Sequence, residues 1–136
     1  HIEYPDVTIA FNADYNEGKF TSIRTGIENI PTDSEAAVLL GVDQPRPPDT
    51  ITKLIAAHSD KDPLITVPYQ GGHRRHPIIL HSSLFNEILS LPKKTGNLRD
   101  ILDNNNEKIL RVPFSDDHIH LDLNKPDDYH SAHTLI

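Results

Sequence analysis

The chain has 136 residues, 36% of them apolar and 24% charged, and a formal net charge of −7. That length is enough for one domain with a real core, and the composition is that of a globular chain rather than a disordered one. The negative balance argues against a non-specific nucleic-acid binder, no stretch approaches the ~20 apolar residues of a membrane span, and the absence of Cys excludes disulfides, zinc–thiolate sites and cysteine nucleophiles.

In chain order, short apolar runs alternate with amphipathic stretches. Residues 7–11 read as a strand and residues 20–30 as a helix stopped by Pro31. The apolar run 36–42, Ala-Ala-Val-Leu-Leu-Gly-Val, is too short for a helix and fits a strand buried on both faces. Pro45, Pro47 and Pro48 force a loop, after which Asp49 caps a helix carrying Ile51, Leu54, Ile55 and His58. Residues 64–69 form a strand, Gly71-Gly72 a turn, and residues 77–80 a second extended piece. Ser82 or Ser83 caps a helix that runs to Leu91, and residues 97–102 make a short helix. Two closely spaced strands, 108–114 and 118–123, precede a helix that starts at Pro126 and leads through residues 127–133. The alternation predicts a mostly parallel sheet covered on both sides, with the late strand pair as an antiparallel addition.

In a parallel sheet, ligands gather beyond the carboxyl ends of the strands. Asp43 stands directly after the apolar run, where its hard oxygens suit Mg²⁺; it also reads as an acid that begins a loop or caps a helix. In 118–124, His118, His120, Asp122 and Asn124 share one side and Ile119, Leu121 and Leu123 the other. Asp122 can thus join Asp43 on a metal, or His118, His120 and Asp122 can form a zinc or iron hydrolase site, or the strand is half-exposed with its polar side outward. Gly18, Ser22 and Arg24 lie where a loop enters a helix, a place for an anion or for an ordinary N-cap. His73, Arg74, Arg75 and His76 beside the glycine turn form a cationic cluster, suited to gripping an anion or to a solvated hairpin tip. Lys93, Lys94 and Arg99 around Gly96 carry the same two readings. No P-loop, Gly-x-Ser-x-Gly elbow or Gly-x-Gly-x-x-Gly fingerprint is present.

Taken in order, these pieces resemble the MobA-like nucleotidyltransferase family, and within it the molybdenum cofactor cytidylyltransferases. Residues 12–26 are similar to the family's Asn…Gly-x-x-x-Ser-x-x-x-Gly stretch, and residues 39–45 to its Leu-Gly-Asp-Gln-Pro strand end. Arg74-Arg75-His76-Pro77 is similar to its Gly-His-Pro element, Gly96 to Arg99 to its Gly-x-x-Arg segment, and residues 122–128 to its Asp-Ile-Asp-Thr-Pro-Glu-Asp. Arg75 stands where the family usually has Gly, and Val42 separates Gly41 from Asp43.

The resemblance implies a Rossmann-like three-layer α/β/α sandwich. It also implies transfer of CMP, or GMP, from an NTP to the phosphate of a molybdopterin-type cofactor, with release of pyrophosphate. Asp43 and Asp122 would hold Mg²⁺. Gly18, Ser22 and Arg24 would lie by the nucleotide, and Arg74, His76, Pro77 and Arg99 on the acceptor side. CTP is the favoured donor, and a molybdoenzyme or its chaperone is a further expected partner; neither nucleic acid nor membrane is. A non-catalytic nucleotide- or cofactor-binding module of the same fold is the alternative.

The family's opening strand and glycine-rich loop have no counterpart in the chain, which has no Met and opens on His1. Residues 1–136 are therefore expected to be the C-terminal part of a single domain that is weakly active alone. The expected location is the cytoplasm, with which the lack of Cys is compatible.

Overall fold

A computed structural model describes residues 7–41, 43–93 and 95–115. Their five strands form one sheet: β1 (Ala36–Leu39), β2 (Ile65–Gln70), β3 (His73–Arg74), β4 (Ile78–His81) and β5 (Ile109–Pro113). The helices are α1 (Lys19–Asn29), α2 (Pro48–Lys61), α3 (Phe85–Ser90) and α4 (Leu98–Asn104). The strand order is β1-β4-β2-β3, and β5 also pairs with β2.

The expectation of a mostly parallel sheet is overturned. Strand pairs β1–β4, β2–β4 and β2–β3 are antiparallel, and only β2–β5 is parallel among the described residues. The reason lies in the turn after β2. Gly71 and Gly72 both have positive φ, 58° and 78°, which a two-residue hairpin needs and which glycine adopts without strain. The chain therefore folds straight back, and β4 is inserted between β2 and β1. Because β4 opposes both neighbours, β1, β2 and β5 all run the same way. Residues 118–123, expected to pair with the strand before them, lie outside the described residues, as does the helix expected from Pro126.

The sheet is covered on both faces. On one, Phe20 and Ile27 of α1, Ile88 of α3 and Ile101 and Leu102 of α4 pack on Ala37, Ile65, Val67, Ile78, Leu80 and Ile109. On the other, Leu54 of α2 meets Ile79 and Val112. Consecutive residues of β4 thus serve opposite faces, as a pleated strand requires. Each fully buried side chain of this size contributes about 1.5–3 kcal/mol from area removed from water. Thr66, with no exposure at all, is the polar exception, and its hydroxyl is hydrogen bonded to His58 Nδ1 at 2.8 Å. Left unpaired, such a group would cost roughly 1–3 kcal/mol.

Four local expectations differ from the structure. Residues 7–11 form no strand, and Val7, Ile9 and Phe11 are 55%, 69% and 84% exposed, since no neighbouring strand among the described residues pairs with them. β1 is not buried on both faces: it is an edge strand among the described residues, and Val38 is exposed. Asp49 is not the cap of α2. Pro47, extended at φ −61° and ψ 149°, holds that place and Pro48 opens the helix, leaving Asp49 in the first turn where an acid favours the helix dipole. Likewise His81, not Ser82 or Ser83, caps the helical turn before α3, its imidazole accepting the Ser83 N–H.

Candidate functional site

The shared direction of β1, β2 and β5 gives the sheet a carboxyl edge. β1 delivers Gly41 and residues 43–47 there, β2 the glycine turn, and β5 Phe114 and Ser115. β4 starts from the same edge, so residues 75–77 lie there too. α2 begins at this edge and returns to the opposite one, where it ends at Asp62.

The turn after β1 is built around a carboxylate. The Gln44 N–H donates to Gly41 O at 3.0 Å, and the Gly41 N–H donates back to Gln44 Oε1 at 3.0 Å. Gln44 is buried. A side chain at Gly41 would place its Cβ 2.7 Å from Asp43 Oδ1 and 3.1 Å from Gln44 Oε1, so the carboxylate occupies space that only glycine leaves. Asp43 is half-buried, and among the described residues no hydrogen bond or ion pair engages its carboxylate. An unpaired, partly buried carboxylate at a strand end fits a hard divalent cation. No group of three or more ligating side chains surrounds it among the described residues, so such an ion would draw its other ligands from substrate phosphates, water or residues beyond them. Asp122, its expected partner, and the rival set His118, His120 and Asp122 lie outside the described residues.

Facing this turn is the loop before β4. Pro77 is fully buried and follows a cis peptide bond, and the Arg75 N–H donates to Pro68 O at 2.8 Å. The two loops are joined by a residue that the sequence reading passed over. Arg46, only 9% exposed, donates from Nε to His76 O and from Nη1 to Pro45 O, each at 2.9 Å. Its signal in the sequence was an arginine set among prolines, where a flexible charged side chain has little local purpose.

The other expected residues are placed as follows. Gly18 precedes α1 with φ 117°, and Ser22 lies one turn in, its hydroxyl accepting from Asn12 Nδ2 at 2.9 Å. Because α1 feeds β1 through residues 30–35, its start points toward the carboxyl edge. Arg24 is turned elsewhere: it donates to Leu91 O and lies 4.0 Å from Glu28. Arg74 is paired with Asp103 at 2.7 Å, which neutralises one charge of the cationic cluster. Arg99 is exposed in the first turn of α4.

At the opposite edge a cavity of about 650 Å³ is lined by Glu35, Val38, Ile55, His58, Asp62 and His81, among others. His81 Nε2 lies 3.5 Å from Asp62 Oδ1, and the Ser83 N–H donates to His81 Nδ1 at 3.1 Å. Burial pushes the His58 imidazole below its ordinary value, with Asp62 opposing and His81 reinforcing that shift. A smaller cavity of about 180 Å³ at the carboxyl edge is lined by Asp49, Thr50, Lys53, Pro113, Phe114 and Ser115. There Lys53 Nζ stands 4.3 Å from the Phe114 ring centroid.

A mixed α/β sheet with helices on both faces and a glycine-framed acid at its carboxyl edge defines a class of ligand-handling folds. The chain belongs to the MobA-like NTP transferase domain family, which it matches over residues 1–109. No curated protein matches it at a significant level. Among solved structures, it is similar to a homologue of Mycobacterium tuberculosis Rv0371c from Mycobacterium sp. strain JC1, at 21% identity and TM-score 0.66, covering 81% of this chain and 54% of that one. It is also similar to Rv0371c from M. tuberculosis H37Rv, at 19% identity and TM-score 0.69, covering 86% and 60%. A complex of Rv0371c with manganese matches at 20% identity and TM-score 0.59, covering 82% and 58%. At these identities the likeness is one of fold, and the chain spans between 54% and 60% of the length of these relatives. Among the described residues no helix is long and apolar enough to cross a membrane.

Proposed function

We propose that this chain belongs to a MobA-like domain that transfers a nucleoside monophosphate from an NTP to a phosphorylated acceptor. CTP is the favoured donor, GTP the second, and the acceptor is the phosphate of a molybdopterin-type cofactor. The family membership supports the reaction class. The observation that carries the reading is the Asp43 carboxylate, unengaged among the described residues on a turn where its Oδ1 lies 2.7 Å from the place a side chain at Gly41 would take.

In this reading an acceptor phosphate oxygen forms a bond to the α-phosphorus of the NTP. The bond from that phosphorus to the bridging oxygen breaks, and pyrophosphate leaves with the electron pair. The protein has little covalent work to do; positioning and charge stabilisation suffice. Asp43, with Asp122, would hold the divalent ion, Mg²⁺ in the reading above. A similar protein has been crystallised with manganese, which makes Mn²⁺ a suitable probe. The ion supplies charge neutralisation at the phosphoryl oxygens. Gly41 and Gln44 close the backbone turn that carries Asp43, the start of α1 with Gly18 and Ser22 borders the nucleotide, and the 74–77 loop and Arg99 border the acceptor.

The test is Asp43→Asn. Mn²⁺ binding in the presence of CTP, read by electron paramagnetic resonance, and pyrophosphate release are measured for both proteins. Mn²⁺ affinity is expected to fall at least about tenfold, and the weak pyrophosphate release of the wild-type chain is expected to be lost with it. Unchanged Mn²⁺ affinity in the variant would remove the basis of the reading.

A further inference from the structure

We propose that Arg46 is a positioning residue that couples the Asp43 turn to the His76–Pro77 loop, so that binding at one side of the crevice sets the other. The inference rests on the reading of Asp43 as the cation ligand.

A guanidinium remains charged at any pH a protein survives, and withdrawing one from water is costly unless its donors are used. Arg46 is withdrawn almost completely, and two of its donors reach carbonyl oxygens on separate loops, His76 O and Pro45 O. The fork of an arginine is planar and rigid, so these two bonds fix where the two carbonyls stand relative to each other. Each anchor is itself held. Pro45 follows Gln44, whose side chain and backbone close the ring with Gly41 around Asp43. His76 precedes the fully buried Pro77, and its neighbour Arg75 is tied to β2 through Pro68 O. A displacement of the turn that carries Asp43 is therefore passed through Pro45 and the fork to the carbonyl of His76. Arginine suits this task better than lysine, because a single ammonium cannot reproduce the angle between Nε–H and Nη1–H. Coupling of this kind is reciprocal: what orders the 74–77 loop also favours the cation.

The experiment uses the whole chain as wild type, Arg46→Met and Arg46→Lys. Mn²⁺ affinity with CTP present is measured by electron paramagnetic resonance, and hydrogen exchange is followed in peptides covering 41–46 and 71–78. In the wild type, Mn²⁺ is expected to slow exchange in both segments together. In Arg46→Met the response at 71–78 should vanish and the affinity fall about tenfold, with Arg46→Lys recovering part of each. A purely architectural arginine would lower the melting temperature without separating the two responses. A folded Arg46→Met protein with wild-type affinity and both segments still responding overturns the coupling alone. A wild type in which Mn²⁺ leaves 41–46 unchanged overturns the Asp43 reading beneath it. Should Arg46→Met fail to fold, Arg46→Lys decides by the same two readouts: wild-type coupling and affinity overturn the proposal, and a partial loss of both supports it.

Discussion

The two edges of the sheet both collect ionisable groups but use them differently. At the amino edge, His58 is bonded to Thr66, Asp62 approaches His81, and His81 accepts the Ser83 N–H; these groups close the end of α2 and cap the turn after β4. At the carboxyl edge the backbone and Gln44 satisfy each other, Arg46 spans two loops, and the acid between them is left unengaged among the described residues. The larger cavity is at the amino edge. On the proposed reading of Asp43, the contrast teaches that volume alone is a poor guide to a site. A polar group that the fold positions and then leaves without a partner is the better sign, because unpaired polar burial is otherwise selected against.

The largest effect that can break this comparison is the loss of cation binding in Asp43→Asn. Next is Gly41→Val, which leaves the carboxylate in place chemically but drives a side chain against it. We expect Mn²⁺ affinity to fall about tenfold or more while the melting temperature changes little, since overpacking at a surface turn can relax outward. Equal affinity in this variant would mean that the turn does not define the site.

At the amino edge the expected signature is in stability, not ligand binding. The folded value of His58 lies below its ordinary 6.5, because burial disfavours the charged ring. Between the folded and unfolded values the unfolded chain binds more protons, so stability falls as pH drops through about 6.5 and levels off above it. Denaturation midpoints at pH 7.5 and 5.5 should differ in the wild type and differ less in His58→Gln. Glu35, Asp62 and His81 face the same cavity and remain in both proteins, so the change in slope isolates His58. A wild-type slope retained in the variant would assign it elsewhere.

The smallest effect is at Asp62, which follows α2 in the left-handed region at φ 46°. Glycine occupies that position without strain, and the exposed approach to His81 contributes little. Asp62→Gly should therefore raise stability by roughly 0.5 kcal/mol and leave nucleotidyl transfer unchanged. A drop in transfer would make the amino edge functional after all.

Much of this arrangement can be read before any coordinates. Apolar runs locate β2, β4 and β5 within a residue or two, Asn97 announces α4, and the prolines mark the loop that follows Asp43. Strand direction is less legible. Nothing in residues 77–80 says whether the strand returns beside β2 or crosses over; only the paired positive φ of Gly71 and Gly72 makes it a hairpin. The run at 36–42 misleads because an unbroken apolar string reads alike on a central and an edge strand. Arg24 and Arg74 illustrate a different limit: charge in the sequence does not reveal that a carbonyl or an aspartate already engages it. Arg46 fails in the opposite sense, since a buried arginine looks like a surface one until its acceptors are known.

The insertion of β4 between β1 and β2 has a further consequence for how such a chain can vary. Ile78, Ile79 and Leu80 are almost wholly buried and lock the register of both neighbours, so this ladder tolerates few substitutions. The segments 43–47 and 71–77 lie at one end of it and contribute no side chain to the apolar core clusters. Lineages sharing the ladder can therefore exchange those two loops while inheriting the same frame.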